Sequence, residues 1–440
     1  MIQIEDKNKC CGCAACVQAC PKNCISFEED EQGFRYPLVN KVVCINCGLC
    51  EKVCPCIHQA ESKKPLKVYA AINPNEDIRM KSSSGGVFSI LAEAIIEEGG
   101  VVFGARFNEK WEVIHDYTES KEGLDAFRGS KYVQSRIGDT YKQCREFLKQ
   151  GRRVLFSGTS CQISGLILFL YKEYDNLITI DVVCHGVPSP KVWRDYLKAV
   201  IDRPQGGAGK NTVLSSLNEK PVITGISFRD KSTGWKKYGF VVRGKSASKA
   251  DKNSVLSSDT FSLVHETVQN NLYMQGFINN LFIRPSCFFC PSKQGKCNSD
   301  YSLADFWTIK LYNAIHDDDK GVTLLYIHSE KAIDFIKMLE IDLVDLDTEK
   351  ELNIAFSKST KEKYPISKFW SKYHKDGLPS IPQICKSIKP SLFRLFITEL
   401  YLILGERCHE SRNINYELCP KLWRHSSNIR NESVLKRAWA

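Results

Sequence analysis

The sequence predicts three parts: a small cysteine-rich α+β module, an α/β domain behind it, and a basic, mainly helical extension at the end. Three observations predict them. Eleven of the twenty cysteines fall in the first 56 residues. From Val68 onward, short β-branched runs alternate with stretches of helical apolar periodicity, the pattern of an α/β domain. Residues 351–440 carry sixteen Lys/Arg against eight Asp/Glu, a net charge of +8 out of +10 for the whole chain. The expected boundaries are 1–62, 65–345 and 350–440, with Glu61-Ser62-Lys63-Lys64-Pro65 as a linker.

In the first part, Cys10-x2-Cys13-x2-Cys16-x3-Cys20-Pro21 recurs as Cys44-x2-Cys47-x2-Cys50-x3-Cys54-Pro55. This is the bacterial ferredoxin spacing for two 4Fe–4S clusters. Three close cysteines wrap three irons of one cube, and the fourth, before proline, ligates the other. The expected sets are Cys10, Cys13, Cys16 and Cys54, and Cys44, Cys47, Cys50 and Cys20. Zinc is the alternative for paired C-x2-C motifs, but its sites rarely carry a third cysteine followed by Cys-Pro. A disulfide framework is disfavoured because Met1 to Lys9 is short and charged, unlike a signal peptide, which points to the reducing cytoplasm. The module is therefore ferredoxin-like and moves single electrons, and its order comes from its clusters rather than from a large core. Cys11, Cys24 and Cys56 fall outside the pattern and read as buried thiols, with Cys24 and Cys56 as alternative ligands.

In the second part the expected strands are Val68–Ile72, Val101–Phe107, Val154–Ser157, Leu177–Val183, Val222–Phe228, Phe240–Arg243 and Thr323–His328. Helices are expected over Val87–Glu98, Cys161–Glu173 and Lys191–Ile201. Asp202–Lys220 and Gly244–Ser258 are Gly/Ser-rich and read as surface loops. Gly206-Gly207-Ala208-Gly209-Lys210 fails as a phosphate loop, because Pro204 and Asn211 stand at required positions. No G-x-G-x-x-G follows a strand, so a dinucleotide-binding Rossmann domain is unsupported. In the third part, Pro390 to Leu404 reads as an apolar helix too short to span a bilayer. No transmembrane segment and no nucleic-acid-binding motif is expected; the basic region suits peripheral contact with a membrane or an acidic partner, or a solvated face.

A second set of cysteines lies in the α/β part. Cys161 follows a strand and opens a helix, Cys184 follows the next strand, and Cys287-x2-Cys290 sits in a Pro-punctuated loop. Two cysteines at strand C-terminal ends plus a C-x2-C loop could converge at the ligand-binding edge of a parallel sheet and hold another 4Fe–4S cluster. Cys297 is a rival ligand, and unrelated buried thiols are the alternative. Ser82-Ser83-Ser84-Gly85-Gly86 before the Val87 helix suits a phosphate or an ordinary helix start. Phe127 to Tyr132 and Ser227 to Lys231 each offer a cation and an aromatic to a planar anion.

These motifs occur in a telling order: Ser-Ser-Gly-Gly-Val-Phe at 83–88, Gly-Ser-Lys-Tyr-Val at 129–133, Gly-Thr-Ser-Cys-Gln at 158–162 and Cys-His-Gly-Val-Pro-Ser at 184–189. Phe-Arg-Asp-Lys at 228–231, Arg-Pro-Ser-Cys-Phe-Phe-Cys at 284–290 and Asp305-Phe306-Trp307 complete the series. Over roughly residues 65–330 the chain resembles the family of beta subunits of coenzyme F-420 (8-hydroxy-5-deazaflavin) hydrogenases and dehydrogenases. The resemblance implies an α/β flavin-binding domain that carries FAD and a third 4Fe–4S cluster on Cys161, Cys184, Cys287 and Cys290. It also implies that Ser83, Ser84, Gly85, Gly86, Ser130, Lys131 and Tyr132 neighbour the flavin. Two departures from the family pattern are Cys297, where arginine is usual, and Thr308, where glycine commonly follows Asp-Phe-Trp.

Three functional readings follow. The first is an iron–sulfur flavoenzyme that exchanges electrons with a ferredoxin-like or hydrogenase-type partner and hydride with a small organic substrate. The second is an electron-transfer subunit with no substrate of its own. The third is a redox-responsive binding protein. In the first reading Lys131, Arg229 and Lys231 are candidates to stabilise a reduced flavin or an anionic substrate; the catalytic residues themselves are not identified.

Overall fold

The computed structural model describes residues 1–203, 220–246, 260–309, 317–347 and 353–388. Near the N-terminus β1 (Ile25–Glu29) and β2 (Arg35–Val39) form an antiparallel hairpin beside two short helices, Ala15–Ala19 and Leu49–Lys52. Along the chain follow β3 (Lys67–Ile72), β4 (Val101–Phe107), β5 (Val113–Thr118), β6 (Val154–Thr159) and β7 (Leu177–Val182). Then come β8 (Val222–Asp230), β9 (Gly239–Lys245), β10 (Phe261–Thr267), β11 (Tyr301–Asp305), β12 (Thr323–Ile327) and β13 (Asp342–Asp345).

Eight of these strands build one sheet in the order β13-β3-β12-β11-β7-β6-β4-β5. Its centre, β4, β6, β7 and β11, is parallel, and the flanking pairs are antiparallel. The sheet is therefore mixed where the sequence suggested a parallel one. Strands β8, β9 and β10 form a separate antiparallel sheet. Helices Thr140–Lys149 and Ser160–Leu170 precede β6 and β7, and both parallel strands are near-continuous apolar runs, as burial on two faces requires.

One face of the sheet packs Leu91 and Ile95 of helix Val87–Glu97 with Leu155, Ile180, Leu325 and Phe335. The other packs Phe103, Phe156, Ile163, Leu166 and Phe169, and that core continues into the N-terminal module through Cys11, Cys13, Ala15 and Val53. The module thus shares a hydrophobic core with the sheet, which a solvated tether between them would not produce. After residue 352 the described residues hold helices Ile354–Ser357, Ile366–Asp376 and Ser380–Ile388, with Phe369, Trp370 and Tyr373 buried. Gly206–Lys210, Pro390–Leu404 and most of the loops expected at 202–220 and 244–258 lie outside the described residues.

Candidate functional site

In both cysteine repeats the loop carries left-handed residues at equivalent places, Gly12 and Ala14 in the first, Asn46 and Gly48 in the second. Such turns curl a backbone around an anionic centre. Accordingly, the Asn46 N–H donates to Cys44 Sγ at 3.4 Å and the Ile2 N–H to Cys50 Sγ at 3.2 Å. Cys20, Cys44, Cys47 and Cys50 line one cavity together with Met1, Ile25, Val39 and Ile45, so the residues of the second expected set meet. Cys47 is exposed and Cys50 buried. Cys24 lines the same cavity, with its sulfur 3.3 Å from that of Cys20. Burial raises the Cys20 thiol, but the N–H groups of Cys24, Lys22 and Asn23 and the Cys24 thiol outweigh it and lower its pKa. The Cys20 hydrogen bond pushes Cys24 up to about 11. The thiolate is the ligating form, and these contacts favour it at Cys20 over Cys24.

Cys10, Cys13 and Cys16 are buried where the module meets helix Ser160–Leu170. A Cβ on Gly165 of that helix would lie 2.9 Å from Cys13 Sγ, so only glycine leaves the room this sulfur fills. Arg284, fully buried, donates from Nε to the Cys10 carbonyl at 2.7 Å and from one terminal nitrogen to Cys10 Sγ at 3.5 Å. It also reaches Gln134 Oε1 and the Arg35 carbonyl, and lies over the Tyr36 ring at 4.3 Å. In the sequence Arg284 stands only as the start of Arg-Pro-Ser-Cys, with no role of its own; a charge at the head of a cysteine loop was the available signal. Gly165 had no signal at all.

The spare cysteines bridge two sets. Cys56 stands beside Cys54 and Cys11, and Cys11 in turn beside Cys13 and Cys161. Cys161, Cys184, Cys287 and Cys290 interact with one another, each through its charge. Burial raises the last three, whereas the Cys11 hydrogen bond lowers Cys161 to about 7. Cys297 instead faces Ser299 at 3.4 Å and Asp181. Among the described residues no three His, Cys, Asp or Glu side chains stand close enough together to hold a single ion. A cube spreads its thiolates, one to each iron.

At the same sheet edge two motifs meet: the Ser130 N–H donates to Ser83 Oγ at 2.6 Å. Ser84 Oγ donates to the Val322 carbonyl, and the Gly85 N–H donates to Thr323 Oγ1. A Cβ on Gly85 would lie 2.4 Å from the Ala71 carbonyl oxygen, so this glycine is required by strand packing. Gly86, at φ 87°, opens the helix in the left-handed region. Lys131 Nζ donates to the Ala126 and Arg128 carbonyls, and burial followed by Arg106 pushes it down to about 7. Lys231 donates to three carbonyls, of Arg79, Ser84 and Lys320, so its role is to hold the Ser84 loop.

Arg229 pairs with Asp305 at 2.7 Å, touches the Tyr132 hydroxyl at 3.3 Å and lies over the rings of Tyr238 and Trp307. Trp307 is 44% exposed and stacks on Trp235 at 4.5 Å. The Arg229 Nε–H and Trp235 Nε1–H are buried and find no acceptor. This cluster combines a cation, stacked aromatic faces and two buried donors without acceptors, chemistry that suits a planar molecule with acceptor atoms.

Comparison with known proteins fits this arrangement. Residues 9–57 match the 4Fe-4S dicluster domain family. One subunit of the F(420)H(2) dehydrogenase of Methanosarcina mazei is 26% identical over 212 residues, 44% of this chain and 60% of that protein. The chain is thus similar to a subunit of a coenzyme F-420 dehydrogenase, and residues 9–57 are its ferredoxin-type part. An uncharacterized protein of Methanocaldococcus jannaschii is 27% identical over 207 residues, 40% of this chain and 56% of its own length. The chain thus spans between half and two thirds of these relatives. The F-420-reducing hydrogenase complex from Methanosarcina barkeri aligns over 73% of this chain and 92% of its own with 13% identity and a TM-score of 0.39, too low to argue from. With that dicluster match the chain is an iron–sulfur electron-transfer protein, related to subunits of coenzyme F-420 dehydrogenases. Among the described residues no helix is long and apolar enough to cross a membrane.

Proposed function

We propose that the chain is a cytoplasmic iron–sulfur flavoprotein oxidoreductase that carries electrons between a redox protein and a small hydride-exchanging substrate, a deazaflavin or another organic molecule. The observation that carries this reading is the continuity of three cysteine sets. Cys20, Cys44, Cys47 and Cys50 reach the surface at Cys47; Cys10, Cys13, Cys16 and Cys54 lie deeper; and the Cys56–Cys11 thiols join them to Cys161 of the third set. Bound 4Fe–4S clusters would supply one-electron transfer, and bound FAD the exchange between one-electron and hydride chemistry. Ser83, Ser130 and Tyr132, with Arg229 and Trp307, would hold the flavin. Arg229 stays cationic although burial opposes it, because Tyr132 and Asp305 face it. Its charge would favour an anionic ring or substrate, while Trp307 and Tyr238 shield one face from water.

The test is iron and flavin per chain on protein purified without oxygen. About twelve irons and one FAD support three cubes and a flavin; about eight irons and no flavin sink the reading. The relative being one part of a dehydrogenase favours a second reading, a subunit with no substrate of its own. Reoxidation of the reduced flavin by substrate alone would exclude it.

A further inference from the structure

A cavity of about 290 Å³ opens between the N-terminal module and the sheet. Its walls come from the Gly12 loop, β1, β2, the chain from Val133 to Asp139 and the helix Pro190–Ile201. It is lined by none of the residues proposed above to hold the flavin, Ser83, Ser130, Tyr132, Arg229 or Trp307. Phe27 and Val17 are half-buried against it, and Val133, Ile137 and Trp193 give it a buried apolar wall.

Three arginines and three carboxylates line the cavity and sum to zero, but not every one of them is paired. Arg194 pairs with Glu29, and Arg136 with Glu112 at 2.8 Å. Asp139 is matched by Lys142 at 3.5 Å. Arg35, opposite Glu29 in the hairpin, is left over: its guanidinium has no hydrogen-bond or ion-pair partner among the described residues. A half-buried arginine at an apolar hollow loses part of its hydration and gains no anion from the protein. The hollow itself is at the small end of the range for organic ligands.

We propose that this cavity is a second small-molecule site, which takes an organic anion with its apolar body against Phe27 and Trp193 and its carboxylate or phosphate on Arg35. Gly12 lies between Cys10 and Cys13 in sequence and lines the cavity, so an occupant adds negative charge beside the first cysteine set. The site does not depend on the flavin reading.

The experiment uses the anaerobically purified full chain and three probes: 2-naphthoate, 2-naphthyl phosphate and the uncharged 2-naphthylmethanol, each followed by calorimetry. One anion per chain is expected to bind at least about tenfold more tightly than the alcohol, a difference of about 1.4 kcal/mol. Comparison of the two anions tells which head group the site prefers. Arg35→Gln removes that margin and Arg35→Lys restores most of it. The bound anion also alters the electron paramagnetic resonance spectrum of the reduced clusters in the native chain and not in Arg35→Gln. Equal binding of anion and alcohol, no saturable binding at millimolar probe, or an Arg35→Gln variant that binds as the native chain does overturns the proposal. Release of flavin by the probe overturns it too, because the cavity would then belong to the flavin site.

Discussion

Replacing Arg284 by methionine tests whether the buried guanidinium sets the potential of the cluster on Cys10. The charge sits 3.5 Å from Cys10 Sγ, and a unit charge at that distance from a thiolate interacts by about 5 kcal/mol at an effective dielectric near 20. An electron spread over a cube feels roughly a third to a half of this, about 2 kcal/mol, which corresponds to roughly 85 mV for one electron. A nearby cation favours the more negative, reduced state, so Arg284→Met lowers the potential of that one cluster by roughly 50–100 mV. Arg284→Met also leaves the Cys10 and Arg35 carbonyls and Gln134 Oε1 without this donor, at about 1–3 kcal/mol for each group left buried. Arg284→Lys keeps the charge and loses the fork, so it separates the two effects: its midpoint stays near the native value while its unfolding midpoint falls. The assay is an anaerobic redox titration followed by electron paramagnetic resonance. A methionine variant that retains all its iron and titrates within about 20 mV of native refutes the electrostatic argument.

Three further outcomes are expected. Gly85→Ala forces a methyl group against the Ala71 carbonyl oxygen and the Thr323 amide of two sheet strands, and thermal unfolding should show a loss of about 1–3 kcal/mol. Burial holds His115 near a pKa of about 4, below its unfolded value of about 6.5. Its stabilising neutrality is complete above the unfolded pKa and is lost as pH falls through this window, by about 2 kcal/mol between pH 6.5 and 5. Denaturant unfolding should lose that slope in His115→Gln. Finally, Cys290→Ala should lose about four irons per chain while Cys297→Ala keeps them all, and iron analysis that shows the reverse would exchange their roles.

The cysteine repeats were legible because cluster ligation imposes a fixed spacing on a short loop, and that spacing survives in any fold. The strands expected at Val101–Phe107 and Val154–Ser157 were legible as mainly apolar runs, and the structure extends the second to Thr159. β11 and β13 were not read from the sequence: Tyr301–Asp305 and Asp342–Asp345 are short and partly polar, and pairing with β12 and β3 makes them strands. The meeting of Ser83 with Ser130, 47 residues apart, depends on the sheet order, as does the row of thiols from Cys54 to Cys161. Lys231 looked like a cation for a ligand because sequence shows its charge and hides the three carbonyls that surround it.

The burial of Cys10, Cys13 and Cys16 against the sheet has a consequence for how the protein is made. Once the module has docked, those thiols lie in the seam between it and the sheet, whereas Cys47 remains at the surface. Insertion of the inner cube into a docked chain would have to open that seam, so cluster-free protein given iron and sulfide should fill the outer set first.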